Sequence, residues 1–209
     1  SVIIPSLNEE ATIGKVIEIA KKSKFVDEII VIDDGSVDNT KEEAIKHGAK
    51  VITSAIRGKG YSMKEGMIIA KNDILVYLDA DIPDYQQDIV SKLASPIVYE
   101  DYDFVKSCFD RNAGRVTELV AKPLLSLLFP ELNVFSQPLS GMIAVKRDLL
   151  SKVHFENDYG VDIGLLIDIY NLKAKIKEVD IGYIENKSKP WQELGKMSRE
   201  VAKAILKRA

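Results

Sequence analysis

Short apolar runs separated by amphipathic stretches constrain this chain's fold more than any other feature of it. Val2 to Ile4 precedes a stretch in which Ile13, Val16, Ile17 and Ile19 recur at helical spacing. Ile29, Val31 and Ile32 follow, then a helix around Glu42 to Lys46, then Val51 and Ile52. A helix from about Lys59 to Ala70 leads into Ile74-Leu75-Val76-Tyr77-Leu78, which ends at Asp79. Strands alternating with helices predict a parallel sheet, because a parallel partner needs a crossover long enough to hold a helix. Beyond Asp79 the pattern is mixed. It predicts a helix near Gln86 to Leu93, a strand near Phe104-Val105, a helix from about Arg115 to Leu128 and a strand near Met142 to Val145. A helix near Asp162 to Leu172, a strand near Ile176 to Ile181 and a helix after Pro190, a residue suited to a first helical turn, complete the chain. The expected class is α/β: one domain over residues 1–209, a mainly parallel sheet flanked by helices, with a mixed C-terminal half.

Composition narrows the partners. With 46% apolar and 29% charged residues, 209 residues suit one globular domain. The charges nearly cancel, 29 basic against 32 acidic, so no broad surface for nucleic acid is expected and any anion must be caught locally. A single cysteine, Cys108, leaves no internal disulfide and no paired-cysteine metal site, which points to a reducing, cytoplasmic setting. No run of about 18 apolar residues occurs, so membrane insertion is not expected. The chain starts inside an apolar run without an initiator methionine, which predicts a trimmed N-terminus.

In open α/β sheets ligands bind beyond the carboxyl ends of the strands. Three such ends here are polar: Pro5-Ser6-Leu7-Asn8-Glu9-Glu10, Asp33-Asp34-Gly35-Ser36 and Asp79-Ala80-Asp81. Two aspartates closing an apolar strand are costly unless solvent, hydrogen bonds or a cation compensates them. Mg²⁺ takes one or two carboxylates and fills its other positions with water and substrate phosphates, so the pair Asp79 and Asp81 implies a metal and a diphosphate. Taken alone, Asp-x-Asp is also a solvated turn whose aspartates cap the next helix. Gly58-Lys59-Gly60 is equally open to reading as a solvated turn, and Asp33, Ser36, Asp38 and Thr40 as turn formers and helix starters.

The order of these signals resembles the nucleotide-binding half of GT-A-type (Rossmann-like) glycosyltransferases. That resemblance implies donor binding by Pro5, Ser6, Leu7, Glu9, Asp34, Lys59, Asp79 and Ala80 within residues 1–81, with Mg²⁺ or Mn²⁺ on Asp79 and Asp81. Four later segments narrow it: Gly114-Arg115-Val116-Thr117-Glu118-Leu119-Val120-Ala121-Lys122-Pro123, Gln137-Pro138-Leu139-Ser140-Gly141, Tyr159-Gly160-Val161-Asp162 with the apolar run behind it, and Glu193-Leu194-Gly195 followed by Met197-Ser198-Arg199. Together they are similar to the glucosyl-3-phosphoglycerate synthases, over nearly the whole chain. The resemblance implies transfer of a hexose from a nucleotide sugar, UDP-glucose foremost, to the 2-hydroxyl of 3-phosphoglycerate with retention at the anomeric carbon. Residues 82–209 would then form the acceptor half, with Gly114, Arg115, Thr117 and Asp162 on the acceptor and Asp162 and Lys59 at the reaction centre. A helix start after Gly114, with free N–H groups and a positive dipole end, independently suits an anion.

Two positions depart from the family. Asp162 stands where a glutamate is usual, and an acid in a first helical turn also stabilises the helix with no other role. Asn186 stands where a metal-ligating histidine is usual, and His47 and His154 lie elsewhere in the chain. An oxygen-only metal site completed by Asn186 or water is expected. Tyr61, Tyr77, Tyr85, Tyr99, Tyr102 and Trp191 are read as packing, and the stripe Trp191, Leu194, Met197, Val201 and Ile205 as a core-facing or dimer-facing helix of a homodimer. A GDP-mannose donor, a polyprenyl-phosphate acceptor or a non-catalytic nucleotide-sugar sensor are the alternatives.

Overall fold

A computed structural model describes residues 1–110, 114–185 and 190–209. The described residues form a seven-stranded sheet in the order β3-β2-β1-β4-β6-β5-β7. In chain order these are β1 (Val2–Ser6), β2 (Ile29–Asp33), β3 (Lys50–Thr53), β4 (Ile74–Tyr77), β5 (Phe104–Asp110), β6 (Ile143–Lys146) and β7 (Ile176–Tyr183). The first four are parallel, β6 runs antiparallel between β4 and β5, and β7 is parallel to β5. The sheet expected from the sequence, parallel and then mixed, is the one observed.

Helices cover both faces, so β1, β2 and β4 are apolar on both sides until their carboxyl ends. Val2, Ile4, Val31, Val76 and Leu78 face one core with α1 (Ile13–Ala20), α2 (Thr40–Lys46) and α4 (Ile89–Tyr99). Ile3, Ile30, Ile32, Leu75 and Tyr77, offset by one residue as the pleat requires, face the other. That second core is closed by α3 (Lys59–Ile69), α7 (Val161–Asn171) and α8 (Trp191–Leu206). Smaller helical elements complete the chain: a π-helical turn (Thr117–Ala121) continuing as α5 (Lys122–Leu128), a 3₁₀ turn (Pro130–Val134) and α6 (Arg147–Leu150).

Two elements differ from the sequence expectation. The helix expected near Gln86 to Leu93 begins at Ile89 and runs on through Pro96 to Tyr99. Burial of Ile89, Val90, Leu93, Ala94 and Ile97 on the sheet outweighs the hydrogen bond that the proline removes. The helix expected over Arg115 to Leu128 is broken in register by the π turn, where Lys122 N–H reaches back five residues to the Thr117 carbonyl. No helix among the described residues is long and apolar enough to cross a membrane.

Candidate active site

The strand order reverses at β1, with β2 on one side and β4 on the other, and a crevice opens over their carboxyl ends. The loops after β1 and β2 are knitted together across it. Asn8 N–H donates to Ser36 Oγ (2.9 Å), and Val37 N–H donates to Asn8 Oδ1 (3.0 Å). Glu9 N–H donates to Thr40 Oγ1 (2.8 Å), and Asn39 donates from its backbone and its side chain to Glu10 Oε2 (3.0 Å each). Buried Asp33 turns back on the amides of Gly35 and Ser36, so it is a turn former. Asp34 reaches further: both its oxygens accept from Gly58 N–H at 2.9 Å, and Ser62 Oγ donates at 3.3 Å.

Asp34 thereby fixes the Gly58-Lys59-Gly60 turn, and the glycines admit a second neighbour. A Cβ on Gly60 would lie 1.6 Å from the Glu156 carbonyl oxygen, and Gly60 N–H donates to the Asn157 carbonyl at 3.3 Å. Gly58 has φ of +147°, in the region that favours glycine. Held on both sides, Lys59 projects into the crevice rather than into solvent.

Its ammonium lies 2.9 Å from Asp162 Oδ2 and 3.1 Å from Asp79 Oδ1. Burial works against the Lys59 charge, but Asp162 and Asp79 outweigh it and hold the amine protonated well above its ordinary range. Burial pushes the Asp162 carboxyl up and Asp79 adds to this, while Lys59 and Lys106 pull it back. The 2.9 Å contact is one of two ion pairs that the ammonium makes, the other being to Asp79. Asp162 Oδ1 is buried and has no hydrogen-bond partner among the described residues, an acceptor left for a ligand hydroxyl.

Tyr85 holds the turn after β4: its hydroxyl donates to the Asp79 carbonyl and lies 3.1 Å from the Asp79 amide. Among the described residues no group of three His, Cys, Asp or Glu side chains is placed to hold a metal by itself. Two carboxylates on an open cavity, Asp79 and Asp81, fit an ion that takes its remaining ligands from water and phosphate. Asn186 lies outside the described residues.

Across the cavity, Gly114 (φ +136°) releases a helix that begins at Arg115 and passes into the π turn. Thr117 is buried there, and the Arg115 guanidinium lies 4.8 Å above the Trp191 ring. Trp191 is 69% exposed rather than packed: it heads α8 beyond the edge of the core, which Val201, Ala204 and Ile205 enter. Pro5, Ser6, Leu7, Glu9, Asp34, Lys59, Asp79, Ala80, Asp81, Gly114, Arg115, Thr117 and Asp162 all line one cavity of about 1010 Å³. Sequence reasoning did not find Asn157, Asp158, Lys196 and Glu200 on the same wall, nor Lys106 beneath it. The first four sit in segments whose polar residues are ordinary for loops and helix faces, and Lys106 sits inside a strand.

A doubly wound sheet with an Asp-x-Asp turn at its switch point defines a nucleotide-sugar transferase, and residues 1–147 match Glycosyl transferase family 2. All of the chain aligns at 39% identity with 77% of the glucosyl-3-phosphoglycerate synthase of Mycolicibacterium smegmatis. It also aligns at 39% identity with 72% of the synthase of Petrotoga mobilis. Its fold matches the Mycobacterium tuberculosis enzyme crystallised with Mn²⁺, UDP-glucose and phosphoglyceric acid, with a TM-score of 0.93 at 41% identity over 99% of this chain and 78% of that one. The M. tuberculosis enzyme has also been crystallised with Mg²⁺ and UDP (TM-score 0.93, 40% identity, 99% and 78% coverage). The chain belongs to the glucosyl-3-phosphoglycerate synthase family within Glycosyl transferase family 2.

Proposed function

We propose that this protein is a metal-dependent retaining glycosyltransferase that moves glucose from UDP-glucose to the 2-hydroxyl of 3-phosphoglycerate, giving glucosyl-3-phosphoglycerate. The carrying observation is that one ammonium, Lys59, ties Asp79 of the nucleotide-facing turn to Asp162 of the acceptor half within a single cavity.

A divalent ion, Mg²⁺ or Mn²⁺, held by Asp79 and Asp81 supplies positive charge to the departing diphosphate. Asn186 is proposed as an oxygen ligand on its place in the sequence alone. Pro5, Ser6, Leu7 and Glu9 cradle the base and ribose, and Asp34 keeps the Lys59 turn in place beneath the phosphates. Arg115, Thr117 and the N–H groups at the helix start take the phosphate and carboxylate of the acceptor. Asp162 Oδ1 accepts a hydrogen bond from a sugar or acceptor hydroxyl. No side chain is placed as a covalent nucleophile in this reading. The acceptor hydroxyl oxygen bonds to the anomeric carbon on the face from which the diphosphate leaves, the C–O electron pair departs with the diphosphate, and the hydroxyl proton passes to that leaving oxygen. Orientation and electrostatic stabilisation supply the acceleration.

We place the enzyme in the cytoplasm, as the lone Cys108 and the nucleotide-sugar donor support. A homodimer is supported by exposed Leu127, Val134 and Trp191, and light scattering on the purified chain tests it. Incubation with UDP-glucose, GDP-glucose and GDP-mannose, each with Mg²⁺ and 3-phosphoglycerate, tests the reaction. Mass spectrometry should find the glucosylated acceptor, with UDP-glucose the best donor. Donor binding without any transfer would point to a sensor instead.

A further inference from the structure

The charges assigned to the reaction above lie on the cavity wall, but one buried cation lies beneath it. Lys106 sits on β5 opposite Ile143 of β6 and is 0% exposed. A lysine is almost never fully buried unless something compensates its charge. Here Nζ donates to the Ser140 carbonyl at 2.7 Å, and no carboxylate among the described residues forms an ion pair with it. Burial lowers its pKa to about 8; Asp162, Glu178 and Asp79 oppose that through space, and Lys59 reinforces it. A group this unfavourable to bury is retained for what it holds.

What it holds is the turn at 137–141. Ser140 N–H closes that turn on the Gln137 carbonyl (3.0 Å), and Gly141 follows. A Cβ on Gly141 would lie 2.5 Å from Lys59 Nζ and 2.7 Å from Asp79 Oδ1, so this backbone is the surface on which the Lys59–Asp79 pair rests. Two further bonds tie the turn to β5: Ser107 Oγ to Ser140 Oγ at 2.5 Å, and Gln137 Nε2 to the Phe109 carbonyl at 3.1 Å. The bond from Lys106 is the charged one of the three, and it grips the main chain itself. A hydrogen bond with an ionised donor is roughly twice as strong as a neutral one.

We propose that Lys106 is a positioning residue of the transfer reaction, holding the 137–141 turn from below against Lys59 and Asp79 and so fixing where those groups meet the donor's diphosphate and sugar. The inference rests on the reaction proposed above. It deepens that reading by placing a determinant of turnover outside the cavity.

The test is steady-state kinetics of Lys106→Met, which keeps the volume but removes charge and donor, and of Lys106→Gln, which keeps an N–H donor. With UDP-glucose, Mg²⁺ and 3-phosphoglycerate, the Met variant should lose about ten- to a hundredfold in kcat, the scale of a misplacement near 1 Å. Its donor KM should stay close to the parent's, because the nucleoside end of the site is built on β1 and β2. UDP plus Mg²⁺ should still raise its melting temperature as in the parent, and the Gln variant should recover part of the lost kcat. Unchanged kcat in both variants overturns the inference. So does a loss of donor binding in step with kcat, or failure of both variants to fold, since Lys106 would then serve stability alone. If only the Gln variant folds, reduced kcat with intact donor binding upholds the inference. A parent that yields no glucosylated phosphoglycerate sinks the substrate reading instead, and the variants are then judged by the same criteria on UDP release from the donor.

Discussion

The two halves of the cavity are built by different means. On the side proposed to hold the donor, Asn8, Glu9 and Glu10 bond to Ser36, Val37, Asp38, Asn39 and Thr40, across the segments that follow two adjacent parallel strands. On the side proposed to hold the acceptor, the wall is gathered from segments far apart in the chain and held by charge. Lys106 grips Ser140, Lys59 meets Asp162, and Arg208 at the end of the chain pairs with both Glu156 and Asp168. Adjacent loops with side-chain-to-backbone bonds give a site stiffness that is set locally. A wall assembled through buried ion pairs depends on distant elements staying docked.

That contrast is tested most severely by removing one group from the donor side. Asp81→Ala should abolish transfer while leaving the fold intact, and UDP plus Mg²⁺ should stabilise the parent against heat but not the variant. Residual turnover near the parent's would show that Asp81 does not hold the metal.

On the acceptor side the largest effect should be on stability. Burial opposes the Glu156 charge, yet hydrogen bonds from Lys207 and Arg208 together hold its pKa below the ordinary glutamate value of 4.5. Its folded value is depressed, so its contribution is complete above that ordinary value and lost as pH falls through the folded one. Arg208→Ala, breaking a buried pair, should cost about 3 kcal/mol at neutral pH and flatten the loss of stability below pH 4.5. Chemical denaturation at pH 7 and at successively lower pH measures both. A cost at neutral pH under about 0.5 kcal/mol, the scale of an exposed pair, would mean that charge does not hold this wall together.

Next in size, Arg115→Ala should raise the KM for 3-phosphoglycerate about ten- to a hundredfold, the loss of a charged hydrogen bond worth roughly 1.5–3 kcal/mol. The KM for UDP-glucose should barely move; equal rises in both constants would take Arg115 out of the acceptor site. Smallest of all, Trp191→Ala should raise the same acceptor constant about two- to fivefold, since a cation–π contact at an exposed position contributes about 0.5–1 kcal/mol. Trp191 is the chain's single tryptophan, so its fluorescence should also change as the acceptor draws the guanidinium away. A silent titration in the presence of measurable turnover would separate Trp191 from the site.

Legibility in the sequence follows the same division. All seven strands fall where the sequence predicts them, and β1, β2 and β4 are the plainest because a strand buried on both faces is apolar until its polar end. The Asp79-Ala80-Asp81 turn is legible because charges at the end of such a strand need a reason. Asp34 is legible as a residue at the end of a strand that opens on the cavity, but its bond to Gly58 is not, since nothing in the sequence fixes which amide a carboxylate will find. Lys106 is the opposite case: a lysine in a strand reads as a solvent-facing residue, and only the crossing of β5 under the 137–141 turn buries it. Trp191 reads as a core aromatic because its spacing matches the stripe of α8, but a helix's first residue can overhang the core it belongs to. Pro96 stands inside α4, where local propensity yields to the apolar face that the helix buries.

The π-helical turn acts as a phase shifter in this helix. An α-helix advances about 100° per residue, so one surplus residue at 117–121 turns everything before it by that angle relative to α5. Deleting a single residue there would restore an unbroken α-helix and preserve the apolar contacts of Lys122–Leu128 with the core. It would also swing Arg115 away from the cavity. This side of the cavity thus carries a one-residue register mark, and a relative whose helix lacks it would present a different side chain to the cavity.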